Sequence, residues 1–433
     1  MSSSSTTSFP RLSYGGKLAS SNVAALPVES LTFSEHMAVF GSPEQYFHAL
    51  HHLKTQLGEN ELHGRGGAAF PLSLKLAAYE AYRGKLIVVA NGSEGEFLSH
   101  KDELLMVRHP NLILDGLAIL GSALDAKAGY VHINALKRNP QEAMQSALSD
   151  RCGMDPFDIE ISTTVPEVGY IAGAESAVIS AINRQDGRPQ YFPDRPILRG
   201  VKKRPTLIAN VETLAQLALL ARFGATWFSS VGSFGDLGTR LLTVTLANGN
   251  YAVLEVIAGT AFSEVFSVMG IQEDQVSCGL LGGYYGQIVD AQRLWKLRVS
   301  QPFLKEAGFS LGAGVVALTN CCPVIETKKV LEYLAAESAG QCGPCYFGLP
   351  ELSKSWSNLS DGNVSSKSLS RVTELCDQII GRGACAMPDG AVLLARSSLS
   401  RFRAEILVHQ GGNCSYRPTS GRLVPYPSRL AVR

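Results

Sequence analysis

An α/β protein with a separate helical C-terminal part is the fold class predicted here, and three observations carry that prediction. Apolar strand-like runs alternate with helical stretches between residues 85 and 164, the order expected of β-α-β units in a parallel sheet. Residues 239–256 alternate in strand fashion around Asn248-Gly249-Asn250, a hairpin turn that marks a second, smaller module. From Glu326 onward the apolar periodicity becomes helical.

Residues 1–30 are Ser-rich and turn-rich, which predicts an extended lead-in rather than a folded unit. A helical pattern over 43–57 carries Tyr46, Leu50, Leu53 and Leu57. The run Lys85-Leu86-Ile87-Val88-Val89-Ala90 is continuously apolar after its lysine, as suits a strand buried on both faces, and it ends at the breaker pair Asn91-Gly92. A helix over 102–124, a strand over 129–134, a helix over 140–149 and a strand over 158–164 continue the alternation. After a connection rich in Pro and Arg (188–205), a helix near 211–223 closes the unit. Beyond the hairpin, a short helix at 263–269 and glycine-rich strands at 276–290 complete the small mixed module. Helices at 326–337, 346–356, 366–380 and 388–408 then form a four-helix bundle, followed by a tail.

The chain has 433 residues, and a prior of roughly 150 residues per domain gives about three domains. Lys+Arg number 39 and Asp+Glu 38, so there is no basic stripe of the kind that marks a nucleic-acid binder. No segment reaches the roughly 18 uninterrupted apolar residues of a spanning helix, the best being interrupted at Asp115, Asp125 or Lys127. Met1–Ser8 is a Ser/Thr run rather than a signal segment. These features predict a cytoplasmic chain with no direct membrane insertion and no nucleic-acid partner. In a reducing compartment its nine cysteines read as metal ligands or buried thiols rather than disulfides.

Five segments carry chemistry. His63-Gly64-Arg65-Gly66-Gly67-Ala68-Ala69-Phe70-Pro71 precedes a helix bearing Lys75; it is either a glycine-rich turn or a loop whose backbone approaches a ligand closely. Asn91-Gly92-Ser93-Glu94-Gly95-Glu96 follows a strand end, where open α/β sheets bind ligands, and is otherwise an acidic solvated loop. The third and fourth are Gly169-Tyr170-Ile171-Ala172-Gly173-Ala174-Glu175-Ser176-Ala177 and Arg204-Pro205-Thr206-Leu207-Ile208-Ala209-Asn210-Val211-Glu212-Thr213. The fifth, Cys342-Gly343-Pro344-Cys345, taken alone equally suggests zinc, a redox dithiol or part of an iron–sulfur site.

In this order and spacing the five segments resemble the NADH-oxidising 51-kDa flavoprotein family of respiratory complex I and the related subunits of NAD-linked hydrogenases and formate dehydrogenases. The resemblance implies a Rossmann-like FMN-binding domain over 36–235 after an N-terminal arm (1–35). It further implies a β-grasp, ubiquitin-like module of the soluble-ligand-binding type over 236–322, chiefly structural, an iron–sulfur helical bundle over 323–410 and a tail over 411–433. It assigns Gly64, Arg65, Gly66, Gly67, Lys75, Asn91, Glu94, Tyr170, Gly173, Glu175 and Asn210 to FMN. Phe70, Glu96 and Phe192 are assigned to NADH, with NAD(H) as substrate.

Departures from the family pattern fall on polar contacts. Ser93 stands where the family has Asp, Ala174 where it has the first of two glutamates, and Ala209 where it has the first of two asparagines. Each lost side chain removes about 1 kcal/mol of net hydrogen bonding, which lowers flavin affinity without abolishing it. An acidic residue near the adenine ribose selects NAD over NADP, so Ala174 weakens that selection and leaves Glu96 to supply it.

The family's cluster loop is C-x-x-C-x-x-C with a distant fourth cysteine. Cys342, Cys345 and Cys385 match three of these positions, and Ala339 occupies the other. The outcomes left open are a [4Fe-4S] or incomplete iron–sulfur cluster on three thiolates, a recruited fourth cysteine, or an empty site. The implied partner is a ferredoxin-like or thioredoxin-fold iron–sulfur protein. The alternative function is a non-catalytic structural or regulatory descendant that keeps the fold after losing cofactor contacts.

Overall fold

Strand Ile87–Gly92 sits inside a four-stranded sheet in the order Ile159–Thr163, Ala128–Ile133, Ile87–Gly92, Thr206–Asn210, with every neighbouring pair parallel. This is a computed structural model that describes residues 11–13, 22–26, 30–46, 61–151, 153–189, 195–233, 235–416 and 423–424. Side chains alternate across a strand, so Val88 and Ala90 enter one core cluster with Leu112, Leu117 and Leu214. Ile87 and Val89 enter another with Val178, Ile179 and Ile208. Helices on both faces of the sheet explain the unbroken apolar run.

The helix expected over 102–124 is two helices, Lys101–Arg108 and Pro110–Ala123, which meet at 95°. Pro110 is the cause: its ring disfavours helical geometry at the residue before it, and His109 takes φ −132° and ψ 50°. The helix expected near 211–223, Val211–Ser229, runs past that predicted end and bends at Gly224, which has φ 80°. Asp115 joins these elements from a fully buried position. It accepts hydrogen bonds from His36, Arg151 and Arg222, with the Arg222 contact at 2.6 Å.

The second sheet has six strands in the order Val23–Ala25, Tyr251–Ile257, Thr239–Leu246, Val315–Thr319, Cys278–Leu281, Gln287–Asp290. Its outer strand corrects the reading of residues 1–30 as a lead-in without fold. Val23–Ala25 pairs antiparallel with Tyr251–Ile257, covering an edge that would otherwise present unpaired backbone groups. The expected arm also contains the start of helix Phe33–Phe40, whose capping box joins Thr32 and Glu35. Of the helix expected over 43–57, Glu44–Tyr46 is a single 3-10 turn, and 47–57 lies outside the described residues.

The C-terminal part holds helices Pro323–Ala336, Leu349–Ser360, Ser366–Ile379, Met387–Arg401 and Arg403–His409 around Leu331, Trp356, Val372 and Leu394. The last predicted helix is thus divided, at Phe402, where φ is −106° and ψ 26°. The expected tail packs back onto the body at Leu423. That residue is 1% exposed, and its carbonyl accepts the Tyr284 hydroxyl. No single described helix is long and apolar enough to cross a membrane.

Candidate functional site

The parallel register sets Asn91 directly opposite Asn210 at the C-terminal ends of adjacent strands. Two sequence motifs 119 residues apart are thereby brought side by side, with Asn210 Nδ2 donating to the Asn91 carbonyl at 3.4 Å. Ligands of open α/β sheets bind at this end. Here the strand ends open into a cavity of about 510 Å³, within the range of small-molecule and cofactor sites.

Of the residues expected to hold FMN or NADH, Arg65, Gly66, Gly67, Asn91, Glu94, Glu96, Tyr170, Gly173 and Asn210 line this cavity. The loop containing Arg65 is closed at its base by antiparallel pairing of His63 with Pro71 and by the Gly64 N–H donating to the Phe70 carbonyl at 2.9 Å. Gly64 therefore closes the loop, while Gly66 and Gly67 form the wall. Two loops meet backbone to backbone beside them. A Cβ on Gly95 would lie 2.0 Å from the Tyr170 carbonyl oxygen, and one on Gly173 would lie 2.5 Å from that of Ser93. Glycine is required at both positions by this approach. Asn91 fastens the same junction, donating from Nδ2 to the Gly173 carbonyl at 3.0 Å.

Arg65 is 5% exposed. Its Nη2 donates to the Thr239 carbonyl at 3.1 Å, and its Nε lies 3.9 Å from Glu212. Nη1 is buried without a hydrogen-bond partner among the described residues, as is the Ser93 hydroxyl on the same cavity. Unpaired buried polar groups are costly, which sets these two apart from the satisfied groups around them.

A buried charge group that the sequence did not single out lies beneath them. Lys101 Nζ donates to Asp102 at 2.6 Å and pairs with Glu212 at 2.9 Å, and Asn210 Nδ2 donates to Asp102 at 2.6 Å. Burial lifts the Asp102 carboxyl to about 7 against the opposing pull of Lys101. Glu94 receives the N–H groups of Asp102 at 3.2 Å and Glu103 at 3.1 Å, so it caps the following helix as well as lining the cavity. Glu96 is wholly buried. It accepts from the Tyr170 hydroxyl at 2.6 Å and the Tyr284 N–H at 2.8 Å, and burial raises its carboxyl despite these donors.

Lys75 and Glu175 are brought together at 3.1 Å, outside the cavity lining, with Lys75 also donating to the Ile208 carbonyl. Phe70 is 53% exposed, which removes core packing as the reason for an aromatic there. Phe192 lies outside the described residues.

The β-grasp module was expected to be chiefly structural. Instead Gly282, Tyr285, Gly286, Ser310 and Gly312 contribute to the cavity wall. The run Gly282-Gly283-Tyr284-Tyr285-Gly286 was the sequence signal for this, since glycines on a strand turn permit close approach of a ligand or another backbone.

Cys342, Cys345 and Cys385 converge although 40 residues separate the last two. The Cys345 thiol is hydrogen-bonded to Cys342 and feels Cys385, and burial pushes it up to about 12. Ala339 packs against the same cluster of side chains. Cys385 and Ala386 also line the 510 Å³ cavity. Tyr285 bridges the two regions: its ring meets Tyr170 edge-on at 5.0 Å, and it faces Cys385 and Cys345. Cys376 is fully buried and hydrogen-bonded to Arg396, and Cys322 lies beside Glu405, His409 and Cys414, so neither stands in for the missing ligand.

Residues 57–219 match the Nuo51 FMN-binding domain, and residues 326–409 match the NADH-ubiquinone oxidoreductase-F iron-sulfur binding region. The chain is 29% identical to the NADH-quinone oxidoreductase F 2 subunit of Rhizobium meliloti, over 81% of this chain and 87% of that one. It is 28% identical to the mitochondrial NADH dehydrogenase [ubiquinone] flavoprotein 1 of Dictyostelium discoideum, over 80% and 76%. Among solved structures, a chain of the H2-reduced NAD+-reducing [NiFe]-hydrogenase superposes with a TM-score of 0.72 at 22% identity. That match covers 88% of this chain and 64% of the hydrogenase chain's length, and shows the shared fold. With matches to the flavin-binding and iron–sulfur regions in the same order along the chain, the protein is similar to the NADH-quinone oxidoreductase F subunits and to the 51-kDa flavoproteins.

Proposed function

We propose that this chain oxidises NADH with FMN held in the 510 Å³ cavity and passes the electrons singly to an iron–sulfur cluster on Cys342, Cys345 and Cys385. The observation that carries the proposal is that Cys385 lines the same cavity as Arg65, Asn91 and Asn210. An electron leaving a ligand there has a cluster thiolate as its immediate neighbour.

The residues present fit FMN. Arg65 Nη1 and Ser93 Oγ are buried donors without partners among the described residues, suited to a phosphate and a polar ring edge, and Gly66 and Gly67 leave the wall free of side-chain bulk. When bound, FMN accepts a hydride and releases electrons one at a time, so the protein need supply no general acid or base. Arg65 binds charge, Asn91 and Asn210 orient, and the buried Lys101–Asp102–Glu212 group holds Asn210 in place. Phe70, half-exposed beside the glycine loop, offers a face for stacking a dinucleotide. The three thiolates supply three of the four cysteine ligands a [4Fe-4S] cluster ordinarily has, leaving one iron to a non-cysteine ligand.

NAD selection is weaker than in an intact family site. Ala174 supplies no carboxylate, and Glu96 is buried against Tyr170 and Tyr284. The electron acceptor is an iron–sulfur protein of ferredoxin-like or thioredoxin fold, docking beside the cluster where Tyr346 and Phe347 are 67% and 72% exposed. Interfaces are enriched in such aromatics.

The test is anaerobic purification, followed by absorbance of flavin released on denaturation, iron and sulfide analysis, and dye reduction with NADH and NADPH. Flavin release, NADH-dependent dye reduction and measurable NADPH use are expected. A colourless protein that takes up no FMN on reconstitution would sink the proposal and leave the non-catalytic descendant.

A further inference from the structure

A second group of metal-type side chains lies at the far end of the bundle, apart from the cavity and from the three cluster cysteines. Cys322, Glu405, His409 and Cys414 present ligand atoms that all lie within 4.8 Å of one another. Cys322 is the residue before helix Pro323–Ala336. Glu405 and His409, four apart, share one face of helix Arg403–His409, and Cys414 follows the Gly411-Gly412 turn.

The separations match a tetrahedral ion. Bonds of about 2.3 Å to sulfur and about 2.0 Å to nitrogen or oxygen put neighbouring ligand atoms roughly 3.3–3.8 Å apart. Here Cys322 Sγ is 3.5 Å from His409 Nε2, His409 Nε2 is 3.4 Å from Glu405 Oε1, and Cys322 Sγ is 3.9 Å from Glu405 Oε1.

The surroundings are those of a metal site as well. His409 Nδ1 lies 2.7 Å from the Ser360 carbonyl, which only accepts, so that nitrogen carries the proton and Nε2 offers its lone pair to the group. Glu405 Oε1 accepts the Ser415 N–H at 2.9 Å. The Cys322 sulfur accepts the N–H groups of Val324 and Ile325 at the start of a 14-residue helix, which fixes its position. Cys322, Glu405 and His409 are buried and Cys414 is exposed, which leaves a route for an ion to enter from solvent.

We propose that Cys322, Glu405, His409 and Cys414 bind one zinc ion that fastens the C-terminal segment to the start of the bundle. Two sulfurs, an imidazole and a carboxylate suit zinc, and four protein ligands leave no open position, so the role is structural. The site is separate from the electron-exit cluster, and it explains why Cys322 is not that cluster's missing ligand.

The test is metal analysis of the full chain purified anaerobically from zinc-supplemented medium, for wild type, Cys414→Ser, His409→Gln and Cys385→Ser. About one zinc per chain is expected in wild type and in Cys385→Ser, falling at least about tenfold in the other two variants while their iron content is unchanged. Wild-type protein stripped of zinc and loaded with Co2+ supplies an independent readout that needs no variant. It should show thiolate-to-metal charge transfer and the intense visible bands of a tetrahedral site. Any one of the following overturns the proposal: no zinc and no Co2+ uptake in wild type, zinc retained in both Cys414→Ser and His409→Gln, zinc lost in Cys385→Ser alone, or a Cys322–Cys414 disulfide in the anaerobic protein.

Discussion

Arg65 shows how one residue joins fold and function. Two of its bonds are structural, from its N–H to the Thr213 hydroxyl and from Nη2 to the Thr239 carbonyl, while Nη1 is buried with no hydrogen-bond partner among the described residues. A charge-assisted hydrogen bond contributes about 1.5–3 kcal/mol. Arg65→Ala is therefore expected to weaken FMN binding by roughly 10- to 100-fold, read by fluorescence titration of flavin into the apoprotein. Arg65→Lys should recover part of the loss; equal affinity in wild type and Arg65→Ala would remove Arg65 from the flavin site. Sequence reasoning found Arg65 through its glycine neighbours. Asp102 was missed, because a Lys-Asp pair at a helix start reads as a solvated turn until packing buries it.

At the scale of elements, the buried Asp115 holds three pieces of chain to helix Pro110–Ala123. His36 comes from helix Phe33–Phe40, Arg222 from helix Val211–Ser229, and Arg151 from the end of helix Arg138–Asp150. The hydrogen bond from His36 and the two guanidinium groups keep its carboxyl well below the usual range even though burial opposes ionisation. Asp115→Asn would leave the buried Arg222 without a counter-charge among the described residues, while Arg151 keeps Asp155 at 2.6 Å, and a loss of about 3–5 kcal/mol is expected in urea unfolding. His132, on the inner strand Ala128–Ile133, acts on stability in another way. Burial lowers it to about 4, whereas an unfolded histidine titrates near 6.5. Between these values the unfolded chain holds a proton that the folded chain does not, so this contribution to stability falls as pH drops from about 6.5 to 4. His109 acts in the same direction, and the raised Asp102 acts in the opposite one. Replacing His132 by Gln should flatten the acid limb of the stability profile, and an unchanged slope would show that the histidine charges without unfolding.

For the whole molecule, the decisive feature is that three modules surround one cavity. The parallel sheet supplies Asn91 and Asn210, the β-grasp turn supplies Tyr285, and the bundle supplies Cys385. On the proposed function, electron entry and exit are therefore neighbours and should be separable. Cys385→Ser is expected to lose the cluster's electron paramagnetic resonance signal and at least about tenfold in transfer to an iron–sulfur acceptor, while keeping its flavin and most NADH-to-dye activity, since ligand loss acts on the cluster and not on hydride transfer. Loss of dye reduction in parallel with the cluster signal would place the exit upstream of the flavin-to-dye step.

The sequence by itself determined the module order, because apolar periodicity and glycine-bounded strand ends are local properties of the chain. It also carried the resemblance to the 51-kDa flavoproteins, through five co-linear segments, and named the three cysteines that converge. Tertiary structure decided whatever depends on distance across the chain. Pairing with an open sheet edge turned Val23–Ala25 from a lead-in into a strand. Backbone contact made Gly95 and Gly173 obligatory. Burial turned Lys101, Asp102 and Glu212 into one charge group. Folding of the tail onto the bundle set Cys414 beside Cys322, 92 residues earlier, and no local pattern announces that meeting.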